Sequence, residues 1–330
     1  MKVLQNKIDD LNLELTVEIE AADYAEIERK KLAERKRNAD FKGFRKGMVP
    51  LTMIKRVYGE QCLAEAVNQV ISEALDKHIS ENKLHILGEP LSSEKQPEIE
   101  WVDGNGFTFI FDVALSPEVN FEVEKKDTVP SYNVTVSADE KNKMTEGLKK
   151  YYEEKKEEKS DEDIAKEVDE RLSSQYKNEA EWRLNKDIRE YFVNKAGLEL
   201  PEAFLKRWLV VANGGKITAE DVEKDFPGFA ADFKWQLVRG FLMRKYEFKV
   251  DENDLREAAE GMVKYQYAMY GIADVPKEIV DEAVVNMLHD RRQIDRLAEQ
   301  VEDRKVIEKL KGEITLKATK ITSAKFRELK

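Results

Sequence analysis

From Leu11 to Glu20 the chain alternates without a break. Leu11, Leu13, Leu15, Val17 and Ile19 are apolar, and Asn12, Glu14, Thr16, Glu18 and Glu20 are polar. A period of two sends these sets to opposite faces of an extended chain, so the run predicts a half-buried strand. Phe107–Leu115 repeats the pattern: Phe107, Phe109, Phe111, Val113 and Leu115 alternate with Thr108, Ile110, Asp112 and Ala114, just after the turn-forming Asp103–Gly106. The layer that covers these strands reads as helical. Asp23 can cap a helix over 24–38, and Leu63, Ala66, Val67, Val70, Ile71, Ala74, Leu75 and Ile79 recur at helical spacing over 60–82. Residues 1–115 therefore predict an α+β domain with helices on one face of an antiparallel sheet.

Between the two helices stands Phe41–Pro50, FKGFRKGMVP, with two aromatic rings (Phe41, Phe44), three cations (Lys42, Arg45, Lys46) and two glycines. Gly43 and Gly47 can take positive φ, which predicts a tight reversal. Pro50 suits the start of a short helix over 51–58, and Gly59 suits its end. The result is a protruding tip that holds Phe44, Arg45 and Lys46 in solvent. Charge points the same way. The chain carries −11 overall, yet the stretch 29–56 holds eleven Lys and Arg against Glu34 and Asp40, a balance of +9 that leaves −20 on all other residues. An acidic molecule with one basic island binds a polyanion through the island and is repelled elsewhere. A merely solvated helix face is the plain alternative; Phe44 in the same loop favours a binding role.

Residues 116–138 are polar and extended in character, with Pro117 and Pro130, and predict a linker. From Asp139 the pattern is helical almost to the end. Residues 139–330 predict an elongated all-α body with arms, its helices covering 161–196, 201–212, 218–225, 229–249, 252–270, 276–288 and 289–311. Breaks fall at Gly214-Gly215, Pro227-Gly228 and Gly271. Thr218 with Asp221 forms a capping-box pattern, and Ile314–Ile321 reads as a final short strand. Glu153–Lys159 (EEKKEEK) has almost no apolar content and reads as a solvated helix or a loose join.

Several chemistries have no parts here. His78, His85, His289 and the single Cys62 are scattered, with no HExxH or CxxC spacing, so no metal centre is expected. There is no GxxxxGK[ST] loop, no complete dinucleotide loop around Gly104 and Gly106, and no GxSxG elbow. No cofactor is implied. No apolar run approaches the roughly 18 residues that a membrane span needs, and the N-terminus lacks the apolar core of a secretory signal. One cysteine rules out an internal disulfide and fits a reducing compartment, so the cytoplasm is expected.

GFRKGMVP, followed by Ile54 and then Tyr58-Gly59, resembles the ribosome-docking loop of the trigger factor family, bacterial chaperones of nascent chains. The strand–helix–tip–helix order over 11–82 is similar to that family's ribosome-binding domain. Leu200–Ala203, and Tyr270 followed by Asp274, Pro276, Lys277 and Glu278, resemble its helical substrate-binding body. The resemblance implies that Phe44, Arg45 and Lys46, flanked by Lys42 and Gly43, dock at the tunnel exit against a ribosomal protein and ribosomal RNA. Met48 stands where the family usually has a lysine. The family also carries an inserted FKBP-like prolyl-isomerase head of about a hundred residues. Here the chain passes from Lys149-Lys150 through EEKKEEK straight into helices, so no isomerase activity is expected.

The implied function is an ATP-independent chaperone that shields apolar segments of nascent polypeptides. Such a holder needs an adaptable apolar surface bordered by charge, for which methionine and aromatic residues on helices are suited. The candidates are Phe204, Trp208, Phe229, Phe233, Met243, Met262, Tyr265, Met269, Tyr270 and Met287, of which only the exposed ones can hold clients. The resemblance leaves a homodimer off the ribosome open. The rival readings are an RNA-binding or scaffolding protein that uses the basic stretch 29–56, and an enzyme with a carboxylate site between helices.

Overall fold

A computed structural model describes residues 1–272 and 274–329. In chain order its elements are β1 (Lys2–Lys7), β2 (Asn12–Ile19), α1 (Ala21–Asn38), α2 (Leu51–Glu81), β3 (Ile86–Ser92), β4 (Phe107–Leu115), β5 (Thr128–Thr135), α3 (Ala138–Lys155) and α4 (Asp161–Ala196). There follow α5 (Glu202–Ala212), α6 (Ala219–Lys245), α7 (Glu252–Met269), α8 (Lys277–Met287), α9 (Arg291–Glu313), β6 (Thr315–Thr322) and α10 (Ser323–Glu328). The chain divides into two compact units. One is Met1–Glu118 with Glu199–Ala230, the other Val119–Leu198 with Ala231–Lys330.

The first unit is built on an antiparallel sheet in the order β1-β2-β4-β3. The two alternating runs pair face to face, with Leu13 opposite Val113, Leu15 opposite Phe111, Val17 opposite Phe109 and Ile19 opposite Phe107. Their common apolar face meets Leu63, Ala66, Val67, Val70 and Ile71 of α2, and together they form the unit's main core. A slip of one residue would turn every leucine and phenylalanine of the pair into water, so burial sets the register. Tyr24 on α1 closes one end: its hydroxyl donates to the Asn105 carbonyl at 2.9 Å and accepts from the Gly104 amide at 2.9 Å.

Three local expectations are corrected here. Glu20, not Asp23, is the N-cap of α1; Asp23 is the third residue of a capping box and its carboxylate accepts from the Glu20 amide at 2.9 Å. The helix begun at Leu51 does not stop at Gly59 but runs unbroken to Glu81. A glycine inside a helix costs about 1 kcal/mol, and buried Ile54, Cys62 and Leu63 on either side of it outweigh that. Likewise α6 continues through Pro227 and Gly228: an interior proline costs about 3 kcal/mol, and buried Val222, Phe226, Trp235 and Val238 on either side outweigh that. At its start, the expected box forms: the Thr218 amide donates to Asp221 Oδ2 (3.1 Å) and the Asp221 amide to Thr218 Oγ1 (3.2 Å). β1 escaped sequence reading.

Among the described residues the second unit shows three apolar cores. Phe121, Val129, Ile188, Phe192, Val238, Leu242 and Leu310 lie in the first. The second gathers Leu148, Tyr152, Val168, Leu172, Tyr176 and Phe326, and the third Ala259, Val263, Val280, Val284 and Leu297. Residues 116–138, expected to be a linker, contain β5, which pairs in parallel with β6 from Thr128 opposite Thr315 to Thr135 opposite Thr322. The expected linker therefore supplies one strand of a two-stranded parallel sheet, and the short strand expected over 314–321 supplies the other. Glu153–Lys159 is neither wholly helix nor loose. α3 ends at Lys155, Lys156 takes the left-handed cap conformation at φ 57°, and Lys159 Nζ reaches back to the Tyr152 hydroxyl (2.9 Å) and Glu167 Oε2 (2.8 Å).

Asp127, just before β5, is a buried carboxylate in this unit. It accepts from the Lys195 ammonium at 2.7 Å, the Tyr191 hydroxyl at 2.9 Å and the Glu124 amide at 2.8 Å. Burial alone would push its carboxyl up, but these partners outweigh burial and hold it below the usual carboxylate range. A depressed folded-state value stabilises the fold above the unfolded carboxylate range, near pH 4, and that contribution is lost as pH falls through the folded value. Between pH 7 and pH 3 the urea midpoint of the wild type should therefore fall further than that of Asp127→Asn. Equal falls would mean that Asp127 is not the acid-labile tie.

Candidate docking tip and exposed helical surface

The stretch 41–48 folds as two consecutive tight turns. The Phe44 amide donates to the Phe41 carbonyl at 3.0 Å, and the Met48 amide to the Arg45 carbonyl at 2.9 Å. Each turn has glycine at its third position with positive φ, 94° at Gly43 and 82° at Gly47, the signature of type II geometry. The ends of the pair are anchored. Val49 is fully buried with Leu32, Ala39, Ile54 and Cys62, and Phe41 packs on this small core with its ring 6.4 Å edge-on from Tyr58. Pro50 is the N-cap of α2, one residue ahead of its first turn.

What the anchors leave outside is the expected triplet. Phe44 is 39% exposed, and Lys42, Arg45 and Lys46 are exposed cations that make no ion pair among the described residues. Of the cations on the flanking helices, Lys30, Lys31, Arg35 and Lys55 are paired, while Arg29, Lys36, Arg37 and Arg56 make no ion pair among the described residues. Arg35 holds Glu65 at 2.8 Å, Lys31 approaches the same carboxylate at 3.6 Å, and Lys55 holds Asp103 at 2.9 Å. Burial would raise the Glu65 carboxyl, yet Arg35 and Lys31 outweigh it and hold it low. Uncompensated positive charge thus runs from the end of α1 (Lys36, Arg37) through the tip (Lys42, Arg45, Lys46) to Arg56 on α2. Sequence reading missed the apolar rim beside the tip: Met48 is 70% exposed, and Leu51, Met53 and Val57 on the first turns of α2 are also exposed. Met53 and Val57 sit four apart and off the core stripe, a signal hidden by the break assumed at Gly59.

The ten client candidates separate by burial. Phe204 and Met243, expected among them, are core side chains instead. Trp208 is half-buried over β3, where Gly88 has φ 70° and an added Cβ would fall 2.7 Å from the indole Nε1. Phe229, Phe233, Met262 and Met287 are half-buried. The exposed ones cluster at the end of α7: Tyr265 at 68%, Met269 at 71% and the C-cap Tyr270 at 79%. They lie off the face that Ala259 and Val263 bury against α8 and α9, and exposed Ile272, whose amide donates to the Tyr267 carbonyl at 3.1 Å, follows them. Among the described residues no group of three or more His, Cys, Asp or Glu side chains is arranged to hold a metal, and no helix is long and apolar enough to cross a membrane.

Comparison with known proteins identifies the family. A family model described as "Bacterial trigger factor protein (TF)" matches residues 1–148, and a second, "Probable trigger factor, C-terminal domain", matches residues 180–330. With both of its models matched, the chain belongs to the trigger factor family. Curated relatives include the trigger factors of Methylobacterium sp. (strain 4-46), 34% identical over 144 residues, and of Acetivibrio thermocellus, 33% identical over 138 residues. Each match spans 42% of this chain and covers 30% and 31%, respectively, of the relative's own length. A solved structure described as "Promiscuous Substrate Recognition in Folding and Assembly Activities of the Trigger Factor Chaperone" shares the fold, with a TM-score of 0.53 at 14% identity, covering 95% of this chain and all of that one. Residues 149–179, between the two matched stretches, are the end of α3, the turn at Lys156–Ser160 and the first half of α4.

The tip's shape depends on two glycines that have open space around them, so an added methyl meets only backbone strain. The double change Gly43→Ala with Gly47→Ala should cost about 1–2 kcal/mol per site locally. It should speed amide exchange at Phe44 and Met48 while leaving exchange in the β2–β4 ladder unchanged. Unaltered exchange at those two amides would mean that the turns do not need glycine.

Proposed function

We propose that this chain is an ATP-independent, cytoplasmic chaperone. It docks at the ribosomal tunnel exit through Phe44, Arg45 and Lys46, with Lys42 and Gly43 shaping the contact, and shields apolar segments of emerging polypeptide. The observation that carries the reading is a rigid tip whose cations lack partners, on a molecule that is otherwise strongly acidic. Arg45 and Lys46 are free to pair with carboxylates of a ribosomal protein or phosphates of ribosomal RNA, and Phe44 to fill an apolar pocket between them. Residues 1–115 act as the docking domain, 116–138 lead out of it, and 139–330 supply the client-holding surface, chiefly Tyr265, Met269 and Tyr270. Long methionine and amphipathic tyrosine side chains adapt to varied apolar shapes. With no nucleotide cycle, release follows from weak individual contacts, and avidity comes from tethering beside the emerging chain. The short turn between α3 and α4 takes the place of the isomerase head in this reading.

Co-sedimentation with ribosomes tests the docking half. Changing Phe44, Arg45 and Lys46 together to Ala should reduce ribosome binding at least tenfold while suppression of aggregation in free solution persists; undiminished binding would refute the role of the tip. Changing Tyr265, Met269 and Tyr270 together to Ser should do the reverse, weakening aggregation suppression and sparing ribosome binding. In a prolyl-peptide assay the protein should leave the uncatalysed cis/trans rate unchanged, and measurable acceleration would contradict the absence of an isomerase function.

A further inference from the structure

We propose that the open edge of β5 and the adjoining face of α4 form a strand-accepting groove, which holds an extended polypeptide segment bearing a carboxylate. The proposal rests on the chaperone reading and specifies one way in which that protein grips a client. Among the described residues β5 has one sheet neighbour, β6, and its other edge carries no strand. The Thr315 amide donates to the Asp127 carbonyl at 2.8 Å, which turns Asp127 toward β6. Because direction alternates along a strand, Val129, Ser131, Asn133 and Thr135 also bond β6, while Pro130, Tyr132 and Val134 present their main chain outward. The position of Pro130 agrees, since a proline is tolerated in a strand where its missing N–H faces away from the ladder. The Tyr132 and Val134 amides and carbonyls have no main-chain partner among the described residues.

Along this edge runs a groove of about 710 Å³, lined on one side by residues 131–136 and on the other by α4 from Asp169 to Leu184. Six strand residues extend about 20 Å and fifteen helical steps about 22 Å, so the two walls match in length. Leu172 and Tyr176 supply apolar floor, and Ser173 and Lys177 stand on the rim. Alternating donors and acceptors at a spacing of about 7 Å fit one ligand chemistry, another extended backbone. Its charge follows from the rim. Lys141 is paired with Asp169 at 2.6 Å and Glu181 is paired with Lys311, whereas Lys177 makes no ion pair among the described residues. The uncompensated charge in the groove is positive, so the segment it favours carries an Asp or Glu beside its apolar residues.

The test uses the whole chain and a soluble peptide of alternating valine and threonine with one central glutamate. Peptide binding should slow residue-resolved amide exchange at Tyr132 and Val134 at least tenfold and leave Ser131 and Asn133, already bonded to β6, unchanged. Val134→Pro removes an outward N–H without touching the β6 ladder, and Ser173→Trp plugs the groove from an exposed position. Each should weaken peptide binding about tenfold, the scale of one or two lost hydrogen bonds. Lys177→Glu should weaken the glutamate peptide but not a version with lysine in its place. Uniform protection, or wild-type affinity in both Val134→Pro and Ser173→Trp, overturns the proposal. So does protection that appears on concentrating the protein alone, which would assign the edge to a second copy. If these arms fail while the Tyr265, Met269 and Tyr270 change still abolishes aggregation suppression, the groove is refuted and the chaperone reading stands.

Discussion

A loop that offers three unpaired cations to a partner cannot be ordered by its own charges, since like charges within one turn repel. Apolar burial at its two ends has to hold it, and Phe41 and Val49 do so by entering the small core of Leu32, Ala39, Ile54 and Cys62 between α1 and α2. The two type II turns then fix the path between the anchors with only two short hydrogen-bonded rings. Everything proposed for the tip depends on this division of labour. Core residues set position, glycines set direction, and the exposed side chains are left free for an external partner.

That small core in turn depends on the unbroken α2. Its first two turns contribute Ile54 and Tyr58 beneath the tip, and its later turns carry the stripe that covers the β2–β4 pair. One rigid rod therefore connects the sheet to the tip, and any contact made by Phe44 or Arg45 is referred to the sheet through continuous helix rather than through a hinge. Electrostatics reinforces the arrangement. Glu65 and Asp103 neutralise Arg35, Lys31 and Lys55 where the helices pack, while Lys36, Arg37 and Arg56 add unpaired charge beside the loop's own cations.

β2 and β4 were legible because their alternation is strict, whereas the exposed β1 has no such pattern. The tip was legible because Gly, Pro and clustered cations are local signals. What escaped the sequence was non-local or depended on context. β5 could not be seen in 116–138, since its polar residues gain strand character only by pairing with residues about 190 positions away. Gly59 and Pro227 looked like stops, but burial on both sides carried the helices across them. Phe204, Met243, Tyr265 and Met269 are chemically alike in sequence. Which of them lies inside and which outside is decided by how helices pack, and no single residue records that.

The lone thiol has a practical consequence. Cys62 is fully buried beneath the tip, and burial raises its proton affinity, so the reactive thiolate is scarce while the native packing lasts. An alkylating reagent can reach it only during transient opening of that pocket, with no competing sulfhydryl elsewhere in the chain. The molecule thus carries an intrinsic stopwatch, and modification kinetics read how often the base of the prong breathes without any engineered label.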